Sequence, residues 1–252
     1  METFGKKAVV VGGASGMGRA TASALVAAGA TVAIIDREAS PGREVARELG
    51  CAFHSVDITD FDGVEAALDH AVADLGGLHL AVNTAGGGVA KKTLSRGEPH
   101  DLRTFRDVVD LNLISTFNLN RLQAAHISNN EAEDEERGVI INTSSIAAFE
   151  GQIGQVAYAA SKAGIAGMAL VMARDLGHLG IRVLAIAPSL FATGATAGFT
   201  DQRVAPLVED AAFPKRMGRP EEYAKLVLAI IDNQMLNGQC LRLDAGQRFA
   251  PR

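Results

Sequence analysis

The chain has 252 residues, a mass of 26.3 kDa and 48% hydrophobic residues, enough for one well-filled α/β domain spanning 1–252. Its formal net charge of -5 and pI of about 5.7 carry no electrostatic footprint for nucleic acid. No apolar run approaches the roughly 18 residues of a membrane span, no signal peptide fits before the first strand, and Cys51 and Cys240 lack metal-ligand spacing, so the expectation is a cytoplasmic protein with reduced thiols, no metal and no membrane partner.

Ala8–Val11 is a short continuous apolar run, the pattern of a parallel strand buried on both faces. It runs into Gly12, Gly13, Ala14, Ser15, Gly16, Met17 and Gly18, then a helical pattern through Ala28. Strand, glycine loop and helix form the first half of a dinucleotide fold. The loop lets backbone approach a pyrophosphate, and the helix N-terminus adds amide donors. Thr31–Ile35 reads as the second strand, with Asp36 at its end. A carboxylate there accepts ribose hydroxyls and repels a 2′-phosphate, which favours NAD over NADP. Arg37 argues the other way, because it can meet a phosphate.

A polar helix follows over Glu38–Gly50, opening at Ser40 and Pro41, then a third strand over Ala52–Val56. Asp57 and Ile58 close that strand; Asp57 suits an adenine amino group or an N-terminal cap equally well. Phe61–Leu75 is helical and Leu78–Val82 is the fourth strand. Asn83, Thr84, Ala85 and Gly86 follow, and the three glycines at 86–88 let a cofactor pass close to the backbone. Val89–Asp101 has no clear period and carries Lys91, Lys92, Arg96 and His100; it is either a solvated loop or a cationic mouth for a polyanionic substrate.

Leu102–Ile127 reads as one long helix. Asn112 is a poor helix former inside it, which suggests a task for its side chain, such as binding a water. Asn129–Arg137 reads as an exposed acidic loop without chemistry. Val139–Ile141 is a strand that delivers Ser145 at its end. Tyr158 and Lys162 lie four apart in an Ala-rich helix, hence on one face. A nearby ammonium favours the phenolate, so the pair suits acid–base work near neutral pH, with Ser145 holding a substrate oxygen. Gln152 and Gln155, just before Tyr158, either line a substrate pocket or sit on the surface. Arg182–Ala187 is the sixth strand. Ser189–Phe213 reads as a lid carrying Leu190, Phe191, Phe199 and Leu207. A helix over Glu221–Ile231 and a last strand over Gln239–Leu243 complete the alternation, which predicts a Rossmann-type doubly wound parallel sheet of about seven strands with helices on both faces.

Over its full length the chain resembles the short-chain dehydrogenase/reductase family. The family's Thr-Gly-x-x-x-Gly-x-Gly loop is matched from Val11 to Gly18, and its Asn-x-Ala-Gly stretch by Asn83–Gly86. Its tetrad falls on Asn112, Ser145, Tyr158 and Lys162, and its Pro-Gly-x-x-x-Thr stretch corresponds to Pro188–Thr193, which includes Leu190. The stretches 137–165, 173–188 and 236–248 resemble the branch that acts on 3-hydroxyacyl-CoA and hydroxysteroids. The resemblance implies NAD dependence, a homotetramer, a small-molecule acyl-CoA or steroid substrate, and a Lys162 that also holds the nicotinamide ribose. Two departures stand out. Val11 replaces a threonine that braces the loop, and Ser189 replaces a glycine, which predicts a slightly loosened and shifted cofactor site. The fold also serves nucleotide sensors without turnover, but such a sensor has no need of the tetrad.

Overall fold

A computed structural model describes residues 1–194 and 200–251. The apolar runs become strands in the expected order. β1 (Lys7–Val11), α1 (Gly16–Ala27), β2 (Thr31–Asp36), α2 (Gly42–Leu49), β3 (Ala52–Ser55), α3 (Phe61–Leu75) and β4 (Leu80–Asn83) form the first half. A small hairpin, β5 (Leu94–Ser95) and β6 (Glu98–Pro99), occupies the stretch without a period. α4 (Leu102–Val109), α5 (Ser115–Ile127), β7 (Gly138–Thr143), α6 (Val156–Leu176), β8 (Ile181–Pro188), α7 (Asp201–Val208), α8 (Pro220–Asp232) and β9 (Cys240–Leu243) follow.

The seven long strands form one sheet in the order β3-β2-β1-β4-β7-β8-β9, with every neighbouring pair parallel. Register aligns the carboxyl ends: Val11 pairs with Asn83, and Asn83 with Asn142. The residues after β1, β2, β4, β7 and β8 therefore emerge along one edge. The order reverses between β1 and β4, and a crevice opens there outside the strand ends. Successive strand residues face opposite sides, so Val10 and Ile34 pack with Leu25, Tyr223 and Ile230 on one face. Val9 and Ile35 pack with Leu68, Leu119 and Ile140 on the other.

Four expectations need correction. The helix over 102–127 is broken by a π-helical turn at Asp110–Ile114, which puts Asn112 in a widened turn. The acidic insertion is not wholly exposed: Glu136 is buried and accepts from Arg182 Nε at 2.7 Å, where Arg182 is itself buried. Phe191 lies in the core and not on a lid, and Phe199 falls outside the described residues. Finally, one helix among the described residues is long and apolar enough to cross a membrane, over Val156–Leu179 with mean hydropathy 1.5. Its composition has a local cause. It turns Ala157, Ser161, Ile165, Ala169 and Ala173 inward, and small residues let it lie close to the sheet.

The Arg182 guanidinium also donates to the carbonyls of Ile230, Ile231 and Leu236, so it ties β8 to the end of α8. Removing its anion leaves a buried cation with neutral partners only. Glu136→Ala is expected to cost about 3 kcal/mol, the low end for breaking a buried pair, read as a lower urea midpoint at unchanged slope.

Candidate active site

A cavity of about 580 Å³ opens at the crevice between the carboxyl ends of β1 and β4. Gly12, Ser15, Gly16, Met17 and Gly18 line one side, Asp36, Asp57 and Ile58 the far end, and Thr84, Ala85, Gly86 and Thr193 the near side. Most residues expected at the cofactor thus converge on one space, of a size in the range of about 300–1,000 Å³ that takes small ligands.

The glycine loop is shaped for close approach. A Cβ on Gly18 would collide with the Gly12 carbonyl oxygen, so only glycine lets α1 start so near β1. Ser15 is the N-cap of α1, and its side chain makes no capping hydrogen bond, which leaves the first-turn amides to a ligand. Asp36 accepts from Ala14 N at 3.0 Å and Arg37 N at 2.8 Å, so the carboxylate braces the loop while facing the cavity. Asp57 accepts from Thr59 N and Oγ1, and these bonds hold its carboxyl below the ordinary range. Asp60, and not Asp57, caps α3.

Both departures are accommodated. In place of a hydroxyl at Val11, the Thr84 hydroxyl donates to the Val11 carbonyl at 2.9 Å and bridges β4 to the loop. Ser189 is not among the described non-glycine residues with positive φ, so a side chain there strains nothing, and its N–H bonds Leu243 O at 3.1 Å. Pro188 ends β8, buried, and Leu190 O accepts from Gly218 N.

Beside the cavity stand the reacting groups. Tyr158 and Lys162 share a face of α6, with Nζ 5.6 Å from the centre of the phenol ring. Burial raises the Tyr158 pKa, and a hydrogen bond with the Ser145 side chain pulls it partly back. Ser145 in turn accepts from Ala147 N at 3.1 Å. Lys162 is 4% exposed, and Nζ donates to the Thr143 carbonyl at 2.8 Å. Burial pushes its ammonium down to about 8. The pair therefore differs from the sequence expectation in one respect: in the protein alone Tyr158 is held as a phenol, and Lys162 is the group nearest to neutral pH.

Asn83 and Asn112 are placed otherwise than expected. Asn83 points away from the cavity into a buried amide cluster, where Nδ2 reaches Asn120, Gln123 and Asn142 at 2.9–3.0 Å. Asn112 donates to the carbonyls of Gly87 (2.7 Å) and Val108 (2.8 Å) and accepts from Gly87 N. Its amide is a clamp on the glycine turn and not a free water site. A Cβ on Gly86 would sit 2.7 Å from Asn112 Oδ1 and 3.3 Å from Lys162 Nζ, so the turn passes directly over both. Gln155 Oε1 accepts from Gln152 N, and Gln152 Nε2 donates to Ala250 O. Both line a second cavity with Lys92, Leu94, Ile153 and Pro251. Asp107 and Leu111 line the first cavity and were not anticipated; they lie four apart on one helical face, a signal the sequence did contain.

The residues fit a dinucleotide, because the cavity combines a glycine cradle, open helix-end amides and a carboxylate at one end. Comparison with known proteins bears on this. Residues 6–204 match the family model described as short chain dehydrogenase. The chain is 48% identical over 252 residues to 3-hydroxyacyl-CoA dehydrogenase type-2 of Bos taurus, covering 98% of this chain and 97% of that protein. A crystal structure of 3-hydroxyacyl-CoA dehydrogenase type-2 from Mycobacterium avium matches with a TM-score of 0.94 at 43% identity, over 98% of each chain. A 7 alpha-hydroxysteroid dehydrogenase complexed with NADH and 7-oxo glycochenodeoxycholic acid matches with a TM-score of 0.87 at 29% identity, over 100% of this chain and 97% of that one.

The depressed Lys162 pKa has a consequence for stability. The unfolded chain holds this proton up to its ordinary pKa, whereas the folded protein releases it near 8. Between those values the unfolded state binds more protons, so stability rises with pH. Lys162→Met removes that slope. The melting temperature of the variant minus that of wild type is expected to fall as pH rises from 8 to 10; a constant difference would mean that Lys162 does not titrate there.

Proposed function

The chain belongs to the short-chain dehydrogenase family and is an oxidoreductase acting on CH–OH groups; from that premise we propose that it interconverts 3-hydroxyacyl-CoA and 3-ketoacyl-CoA with NAD. The observation that carries the reading is the Ser145, Tyr158 and Lys162 constellation set beside a cavity with a glycine cradle and Asp36. The glycine loop would hold the pyrophosphate, Asp36 the adenosine ribose, Asp57 and Ile58 the adenine, and Leu190, Thr193 and Lys162 the nicotinamide half. When bound, NAD supplies or accepts the hydride.

The chain's own residues handle the oxygen and its proton. In reduction, Tyr158 donates its phenol proton to the ketone oxygen, and Ser145 steadies that oxygen with a hydrogen bond. In oxidation the same phenolate takes the hydroxyl proton. The Lys162 ammonium favours that phenolate. Asn112, through Gly87, keeps the turn over Lys162 in place. The polar substrate end lies at a cationic rim. The loop after Gly86 runs past the Tyr158 ring, and Lys91 N donates to Gly154 O at 2.8 Å. Lys92 and Arg96 beyond it are exposed, where they raise the local concentration of a CoA phosphate.

The protein acts as a homotetramer of one catalytic domain in the cytoplasm, without nucleic-acid or membrane partners. The support is physical. Phe117 on α5 and Leu170 and Val171 on α6 are 45–55% exposed, apolar surface of the kind that contact with another copy covers. Both cysteines are free, and the net charge is negative.

Acetoacetyl-CoA with NADH tests the reading. Reduction is expected, with free acetoacetate much poorer. Tyr158→Phe should lose at least about 100-fold in turnover while keeping NADH binding. Replacing Lys91, Lys92 and Arg96 with alanine should raise KM for acetoacetyl-CoA, most at low salt, and spare an uncharged steroid ketone. Robust steroid reduction without acyl-CoA activity favours the hydroxysteroid reading, for which the 7 alpha-hydroxysteroid dehydrogenase likeness speaks.

A further inference from the structure

The chain has two tyrosines, and the one outside the reacting groups, Tyr223, is completely buried. It belongs to the inward face of α8 with Val227, Ile230 and Ile231, a helical spacing that fills the core. A phenylalanine would fill the same volume. The hydroxyl is the additional feature, and a buried hydroxyl persists only with a partner.

That partner is Thr143 Oγ1, at 2.7 Å. Thr143 Oγ1 also lies 2.7 Å from the Asn83 carbonyl oxygen. A carbonyl only accepts, so the single Thr143 hydroxyl proton goes to Asn83, and Tyr223 must be the donor to Thr143. Burial raises the Tyr223 pKa, so this donor stays protonated wherever the protein works. The carbonyl of the same Thr143 receives the Lys162 ammonium at 2.8 Å. The other side of Tyr223 meets a different part of the site. Its ring stands edge-on to Phe191, centroids 6.5 Å apart. Phe191 is a core residue of the segment that leads to Thr193 at the cavity, and that segment is pinned by Ala192 N to Gly218 O and Gly218 N to Leu190 O.

We propose that Tyr223 is a positioning residue for the dehydrogenase reaction: its hydroxyl steadies the carbonyl on which Lys162 rests, and its ring steadies the 190–193 segment across the cofactor cavity. The proposal rests on the dehydrogenase reading above. Without the hydroxyl, Thr143 keeps one partner of two, and the acceptor for Lys162 loosens. A hydrogen bond from the charged form favours that form, so a looser acceptor lets Lys162 lose its proton at lower pH. The titratable groups that described contacts set around Lys162 are Tyr158 on α6, Tyr223 through Thr143, and Cys240 on β9 through Ser144.

Tyr223→Phe keeps the ring and the Phe191 contact, and so isolates the hydroxyl. The test reads NADH affinity from the fluorescence of bound NADH, and the alkaline limb of kcat/KM for the ketone. Tyr223→Phe is expected to weaken NADH binding by about threefold to tenfold, the scale of one neutral hydrogen bond, and to move the alkaline limb to lower pH. Thr143→Val should do at least as much, and Thr143→Ser, which keeps the hydroxyl, should restore most of the loss. A Tyr223→Phe protein with wild-type NADH affinity and a wild-type alkaline limb, whatever its melting temperature, overturns the positioning role alone. If that variant does not fold, the Thr143→Val and Thr143→Ser pair decides by the same two readouts. A wild type that binds no NADH overturns the dehydrogenase reading and the positioning role with it.

Discussion

The buried ammonium of Lys162 is the constraint on which the rest of the site depends. A charge removed from water is tolerated only where something receives it, and here one backbone carbonyl, that of Thr143, does so at 2.8 Å. That single contact dictates much of the neighbourhood. β7 must end at Thr143, next to β4, so that its last carbonyl faces α6. The helix must come close, which its inward alanines and Ser161 permit. Ser144 Oγ donates to the Lys162 carbonyl at 2.7 Å and fastens the helix to the end of the strand. The glycine turn at 86–88 then covers the ammonium, with Asn112 clamping it from the π-helical turn. The cost of burying the lysine is visible in its depressed pKa, and burial likewise holds Tyr158 as a phenol.

The parallel sheet explains why these parts meet at all. Residues brought together here come from eight separate stretches of chain, from the glycine loop at Gly12 to Thr193. Aligned register delivers the carboxyl end of each strand to one edge, so a short loop after each is enough to contribute one or two groups. The fold thus needs only local accuracy at each strand end. The Thr84 hydroxyl braces the entry to the glycine loop from the neighbouring strand end, reaching the carbonyls of Val11 at 2.9 Å and Gly12 at 3.3 Å.

Most of this was legible in the sequence. Strand positions followed from continuous apolar runs, and the groups facing the first cavity followed from glycine spacing, Asp36 and the resemblance. What was not legible depends on side-chain direction and on distant partners. Asn83 sits in a recognisable stretch, yet its side chain alternates to the face that meets Asn120, Gln123 and Asn142, residues 37–59 positions away. Asn112 signalled a task for its amide, but not that both donors would be taken by Gly87 and Val108. Glu136 read as solvated because its neighbours are acidic, while its partner Arg182 lies 46 residues on. Phe191 read as a lid residue and Tyr223 drew no reading inside the helix over Glu221–Ile231, since nothing local reveals that one ring and one hydroxyl span two halves of the site.

The arrangement of the site depends on the state of Lys162 in the cofactor-free protein, and that state can be measured directly. A ¹³Cε-lysine NMR titration, with the Lys162 signal assigned by its loss in Lys162→Met, follows the ammonium itself. The buried, carbonyl-held ammonium is expected to titrate with a midpoint of about 8. A midpoint near that of an exposed lysine, about 10.4, would contradict it, because the ammonium would then be solvated and the arrangement around Thr143 would not be what holds the site together.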